Sequence, residues 1–137
     1  MAFVVDASVA LAWHFEDEVT AQTDALFART VEEQIVVPSH WMLEVANGAL
    51  MGERRKRASA SDTDIFAARL AWIDIIVDDV AAQDAFLRIL PLARNFHLTV
   101  YDALYLELAE RRRLPLATLD VALATAGRLI GIEILGI

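Results

Sequence analysis

The feature that most narrows the fold is a recurring pair: a short apolar run, often β-branched, followed by a segment with helical spacing. Phe3 to Val5 stop at Asp6-Ala-Ser, where Asp6 or Ser8 suits the cap of a following helix. Glu16 to Glu33 is charged and helix-compatible, with Val19, Leu26 and Phe27 among its apolar positions. It runs into Ile35-Val36-Val37-Pro38, a second strand closed by proline. Ser39 to Arg57 reads as a helix with an apolar body and a basic end, interrupted at Gly48 and Gly52, before the break ASASD at Ala58 to Asp62. Helices are expected over Asp62 to Asp74 and Ala81 to Arg94, with a strand at Ile75 to Val77 between them. After the apolar run that ends at Val100, a helix from Tyr101 to Arg113, a strand Leu116 to Leu119, a helix Val121 to Leu129 and a strand Ile132 to Leu135 complete the pattern.

This alternation predicts an α/β fold with a mostly parallel sheet covered by helices on both faces. A chain of 137 residues fits one domain, residues 1–137, and its 57% apolar content excludes disorder. With no cysteine, disulfides, thiolate metal sites and a cysteine nucleophile are excluded, which fits a reducing cytoplasm. The N-terminus has no basic leader and carries Asp6 inside its apolar stretch. The longest run free of Asp, Glu, Lys and Arg is Gln34 to Leu43, too short to span a membrane. A net charge of −8 argues against a generally basic nucleic-acid surface. Any RNA contact must come from local clusters, Arg54, Arg55, Lys56 and Arg57 or Arg111, Arg112 and Arg113, which equally suit solvated helix ends.

Open α/β sheets place ligands outside the carboxyl ends of their strands. Asp6 and Asp120 stand at such ends, and Asp102 opens a helix after an apolar run. Glu44 lies in the largely apolar stretch WMLEVANGAL, with His40 and Trp41 one turn before it and Asn47 and Gly48 one turn after. Singly, each aspartate suits a helix cap, and Glu44 suits a surface position. Gathered together, four carboxylates would repel and take up protons unless a cation neutralised them, and oxygen ligands suit Mg²⁺ or Mn²⁺. One or two such ions can activate water on a phosphodiester. The three histidines show no metal-ligand spacing, and neither a G-x-S-x-G turn nor a Gly-rich phosphate loop is present. An aspartyl-phosphate site at Asp6, with Asp78 and Asp79 as further acids, lacks the second aspartate of D-x-D and has Lys56 as its only lysine.

Three stretches in order, VVDASV at Val4 to Val9, PSHWMLEVANGAL at Pro38 to Leu50 and LTVYDALYLELAERRRLPLATLD at Leu98 to Asp120, resemble the PIN-domain ribonucleases, and within them the VapC-like toxins of toxin–antitoxin pairs. The resemblance covers essentially the whole chain. It implies a three-layer α/β/α sandwich and an Mg²⁺- or Mn²⁺-dependent endoribonuclease whose catalytic and metal-holding acids are Asp6, Glu44, Asp102 and Asp120. Ser8, Asn47 and Thr118 match positions where the family often keeps polar groups that support the acids. It further implies RNA as substrate, a homodimer, and a VapB-like antitoxin whose C-terminal segment lies in a groove and brings a basic side chain to the carboxylates. Trp13, Phe15, Trp41 and Met42 could line that groove, though as large apolar residues they suit the core better. The second expectation is a catalytically degenerate member that keeps the fold and only binds a partner or RNA.

Overall fold

The computed structural model describes residues 1–137, apart from the side chains of Ala81 and Ala82. Its centre is a sheet of five parallel strands, β1 Ala2–Val5, β2 Gln34–Pro38, β3 Ile75–Asp78, β4 Leu116–Ala117 and β5 Ile134–Leu135, in the order β3-β2-β1-β4-β5. Seven α-helices accompany it in a three-layer α/β/α arrangement: α1 Ala7–Ala12, α2 Ala21–Arg29, α3 Trp41–Arg54, α4 Ala60–Leu70, α5 Leu90–Phe96, α6 Val100–Arg112 and α7 Val121–Leu129. The sheet is therefore wholly parallel, where the sequence predicted a mostly parallel one. Strands covered on both faces read as continuous apolar runs, and Phe3, Val4, Val5, Ile35, Val36 and Val37 are all buried.

Strand order matters for function. From β1 the chain steps to β2 and β3 on one side, then returns to place β4 on the other. The switch point between β1 and β4 opens a crevice at the carboxyl ends of those two strands, which α/β folds use for ligands.

Several helix boundaries differ from the sequence expectation, each for a local reason. The stretch Glu16 to Glu33 is divided into a 3-10 turn, Glu16–Glu18, and α2, with Val19 and Thr20 extended between them. Thr20 and Thr23 cap α2 reciprocally, at 3.1 and 2.9 Å, so the helix begins there rather than at Glu16. The helix expected over Ala81 to Arg94 is a 3-10 turn, Ala81–Asp84, a π turn, Ala85–Ile89, and then α5. Pro91 lacks an N–H and its ring crowds the carbonyl four residues back, which a widened turn accommodates. His97 and Arg113, both left-handed, close α5 and α6. The expected helix over Ser39 to Arg57 shortens to α3, that over Asp62 to Asp74 moves back to Ala60–Leu70 because Ser59 caps it, and β4 and β5 are two residues each.

Trp13, Phe15 and Trp41 belong to the buried interior. Only Met42 of the four aromatic and apolar groove candidates is exposed; it lines a cavity of about 340 Å³ between α3 and α4 with Val45, Ala49, Phe66 and Leu70. No helix among the described residues is long and apolar enough to cross a membrane.

Gly48 and Gly52 do not interrupt α3. They face the side chains of Leu11 and Phe15, and a Cβ on Gly52 would lie 2.3 Å from the Phe15 ring. The glycines thus let α3 approach α1 and the turn after it. Glycine in a helix interior costs about 1 kcal/mol relative to alanine, so helix propensity alone makes Gly52→Ala stabilising. The buried Phe15 ring reverses that sign, because overpacking costs about 1–3 kcal/mol. Gly52→Ala is expected to lower the urea midpoint, by a net of up to about 2 kcal/mol in unfolding free energy.

Candidate active site

Asp6 follows the last residue of β1 and caps α1, with Oδ1 accepting the Val9 N–H at 3.1 Å and the Ser8 hydroxyl at 2.6 Å. Its Oδ2 accepts the Thr118 hydroxyl from the loop after β4. The two hydroxyls also tie down that loop: Ser8 Oγ accepts the Leu119 N–H at 2.9 Å, and Thr118 Oγ1 accepts the Asp120 N–H at 3.0 Å. Asp120 in turn caps α7 through the Leu123 N–H at 2.9 Å. Asp6 and Asp120 are therefore caps and crevice residues at once, and Ser8 and Thr118 link them across the switch point.

Asp102 sits differently from the sequence expectation. Rather than capping a helix it lies in the first turn of α6, which connects to α5, and Thr99 caps the helix by accepting the Asp102 N–H at 3.1 Å. The Asp102 carboxylate is thereby left for other work. Glu44, on α3, is held from two sides: the Tyr105 hydroxyl donates to Oε1 at 2.8 Å, and His40 Nε2 lies 2.6 Å from the same oxygen. Sequence reasoning placed His40 on the Glu44 face but assigned Tyr105 no role. Its signal was the spacing in YDALY, which sets Tyr105 one turn after Asp102 on a helix. Asn47 is exposed beside Glu44 in an open cleft, and among the described residues it bonds none of the acids.

The acids feel one another. Burial pushes the Asp6 carboxyl up to about 6 against an ordinary 3.8, its three hydrogen bonds oppose that rise, and the charge of Asp102 adds to it. Asp102 is raised by burial and by the charges of Asp120 and Glu44, which outweigh the favourable helix dipole expected at its position. Burial alone would raise Glu44 too, but the His40 and Tyr105 contacts prevail and hold it below the usual carboxylate range. As they stand, no three Asp, Glu or His side chains among the described residues are close enough together to grip a metal. The donor set nevertheless consists of carboxylates and hydroxyls alone, which suits a hard divalent cation, and protons raised onto Asp6 and Asp102 are what such a cation would replace.

Three of the six arginines in the two clusters are committed elsewhere. Arg111 and Arg112 pair with the buried Asp78 at 2.7 and 2.8 Å, and Arg111 also pairs with the buried Glu107 at 2.6 Å. Arg57 pairs with Asp17 and Glu18 at 2.8 and 2.6 Å. Arg54 and Arg55 are exposed, with no ion pair among the described residues.

Since the folded protein holds the Asp6 proton more tightly than the unfolded chain, this group's contribution to stability is full below about pH 4 and is lost as pH rises through about 6. The loss is roughly 3 kcal/mol. Asp6→Asn keeps the cap and removes the charge. In metal-free buffer its melting temperature should therefore rise relative to wild type as pH is taken from 4 to 7; a constant difference would contradict the assignment.

No curated protein matches the chain. Among solved structures, it is similar to PAE2754 from Pyrobaculum aerophilum (23% identity, 98% of this chain and 83% of that one, TM-score 0.69). It is also similar to VapBC2 from Rickettsia felis, solved bound to a DNA fragment from their promoter (15% identity, 98% and 97%, TM-score 0.64), and to a toxin–antitoxin complex from Klebsiella pneumoniae (17% identity, 86% and 86%, TM-score 0.52). At these identities the likeness is one of fold. The PIN domain profile matches residues 3–129, nearly the whole sequence, and the chain belongs to the PIN domain family, whose members are generally nucleases.

Proposed function

We propose that the protein is a metal-dependent endoribonuclease, a VapC-like toxin held in check by a VapB-like antitoxin. What supports the chemistry is that Asp102 lies near enough to Asp6, Glu44 and Asp120 for their charges to act on one another, beside the switch point between β1 and β4. Membership of a family of nucleases and likeness in fold to toxin–antitoxin complexes support the biological reading.

These four acids would hold Mg²⁺ or Mn²⁺. Bound there, the cation supplies a lowered water pKa and charge stabilisation at the phosphodiester. The chain's own residues do the rest. Thr118 and Ser8 fix both oxygens of Asp6, so its carboxylate cannot rotate away. His40 and Tyr105 keep Glu44 ionised and aimed at the crevice's edge. Arg54 and Arg55 at the end of α3 are the exposed cations for gripping an RNA backbone, while Arg111 and Arg112 are engaged by Asp78. The cavity between α3 and α4, beside the exposed Met42, is the apolar groove for an antitoxin segment, whose basic end would suit the acidic crevice.

Pure protein incubated with total RNA and Mn²⁺ is expected to produce fragments, EDTA to stop the reaction, and Asp102→Asn to slow it by a factor of about 10² or more. Cleavage that persists in EDTA, or at an unchanged rate in Asp102→Asn, would sink the metal mechanism. The second reading is a catalytically degenerate member that keeps the fold and only binds a partner or RNA. A melting-temperature titration separates the two. The nuclease gains RT ln(1 + [L]/Kd), about 2.7 kcal/mol at 100 Kd of Mn²⁺, and Asp102→Asn loses most of that gain. A degenerate protein shows no metal-dependent rise.

A further inference from the structure

One cleft begins at Glu44 and His40 and runs outward from the acids past side chains that hold none of them, Leu43, Asn47 and Tyr101. His40, Leu43, Glu44 and Asn47 lie along one face of α3, with a spacing of three and four residues, and Tyr101 closes the cleft from the first turn of α6. Its volume is about 260 Å³. Tyr101 is 61% exposed, whereas Tyr105, one turn further on, is buried at 1% and serves as the anchor for Glu44. The His40 ring stands between them, its centroid 5.5 Å from that of Tyr101 and 5.2 Å from that of Tyr105. One aromatic ring of the row is thus spent on the interior, and the last is presented to solvent immediately before Asp102 in the chain.

We infer that this cleft is a nucleobase subsite, in which Tyr101 stacks on an unpaired base of single-stranded RNA and Asn47 contacts the base edge. The inference rests on the reading of the protein as an RNA hydrolase and adds which part of the substrate this surface takes. Charge decides against the phosphate: among the described residues no Lys or Arg lines the cleft, and Glu44 contributes a negative charge. An uncharged, planar heteroaromatic group meets no such repulsion. A tyrosine face with an apolar rim at Leu43 supplies stacking, worth most when the base is already out of a duplex. The Asn47 amide, which no hydrogen bond engages among the described residues, offers one donor and one acceptor side to the base. Because Glu44 itself lines the cleft, a base held there belongs to a nucleotide next to the phosphate that the acids face. Tyr101 is accordingly a specificity-determining residue, and Asn47 decides among bases.

The test uses the full chain and a single-stranded RNA hexamer of mixed sequence, with an otherwise identical hexamer abasic at its centre and inorganic phosphate as further probes. The chain has only two tyrosines, so the ring resonances of Tyr101 are assigned by their loss in Tyr101→Phe. With Ca²⁺ present, the intact hexamer is expected to shift those resonances upfield, and phosphate to leave them in place. Fluorescence anisotropy should give affinity weakened about tenfold in Tyr101→Ala and largely retained in Tyr101→Phe, since the stacking face remains. Equal affinity in Tyr101→Ala, equal affinity for the abasic hexamer, or no binding by the wild-type chain would each overturn the subsite. So would sedimentation in which Tyr101→Ala dissociates a dimer, because Tyr101 would then be covered by a second copy. A wild-type chain that binds the hexamer through Tyr101 yet leaves it intact in Mn²⁺ would keep the subsite and refute hydrolysis instead.

Discussion

The buried carboxylate of Asp6 is the constraint on which the rest of the site depends. It stands at the end of the central strand, where an ionised group without partners would cost several kcal/mol. Three hydrogen bonds offset part of that cost, and each comes from a group that must itself be placed: the first turn of α1, Ser8, and Thr118 in the loop after the strand across the switch point. Satisfying Asp6 therefore fixes the registry of the loop after β4, and with it Asp120. The incomplete compensation is visible in the proton that Asp6 retains up to about pH 6.

Glu44 reaches the same region from another direction and under another control. It lies on a helix rather than at a strand end, and its charge is kept by His40 and Tyr105 rather than by backbone amides. Tyr105 connects Glu44 to α6, the helix that also carries Asp102. Two separate hydrogen-bonded units, Asp6 with Asp120 and Glu44 with α6, are brought together by the packing of α6 across the central strands. Repulsion between them, felt most at Asp102, keeps them from closing on one another and makes the crevice receptive to positive charge.

The distribution of arginines follows from the same economy of charge. Asp78 ends β3 in a buried position and would be costly alone, and the last turn of α6 supplies Arg111 and Arg112 to it. Breaking a buried pair of this kind is more damaging than forgoing it. That is why two of the three arginines in a cluster that suited either RNA or a solvated helix end form, in three dimensions, a brace between sheet edge and helix.

Much of the fold was legible because parallel strands buried on both faces must be continuously apolar, and FVV and IVV announce themselves on that ground. Asp6 and Asp120 were legible as strand-end acids, and the three-stretch pattern supplied the family. Helix boundaries at Thr20 and before Pro91 were less so, since side-chain capping and a widened turn act locally beneath a smooth helical periodicity. Gly48 and Gly52 misled for a tertiary reason: their meaning lies in the Leu11 and Phe15 side chains across the helix contact. The sequence by itself determined which carboxylates exist and which elements carry them, because that depends on residue type and spacing along one chain. Only the tertiary structure decided that Thr99 caps α6 in place of Asp102, that Tyr105 serves Glu44, and that Arg111 and Arg112 belong to Asp78. Each of those choices is a competition among hydrogen-bonding partners, settled by which groups packing brings within about 3 Å.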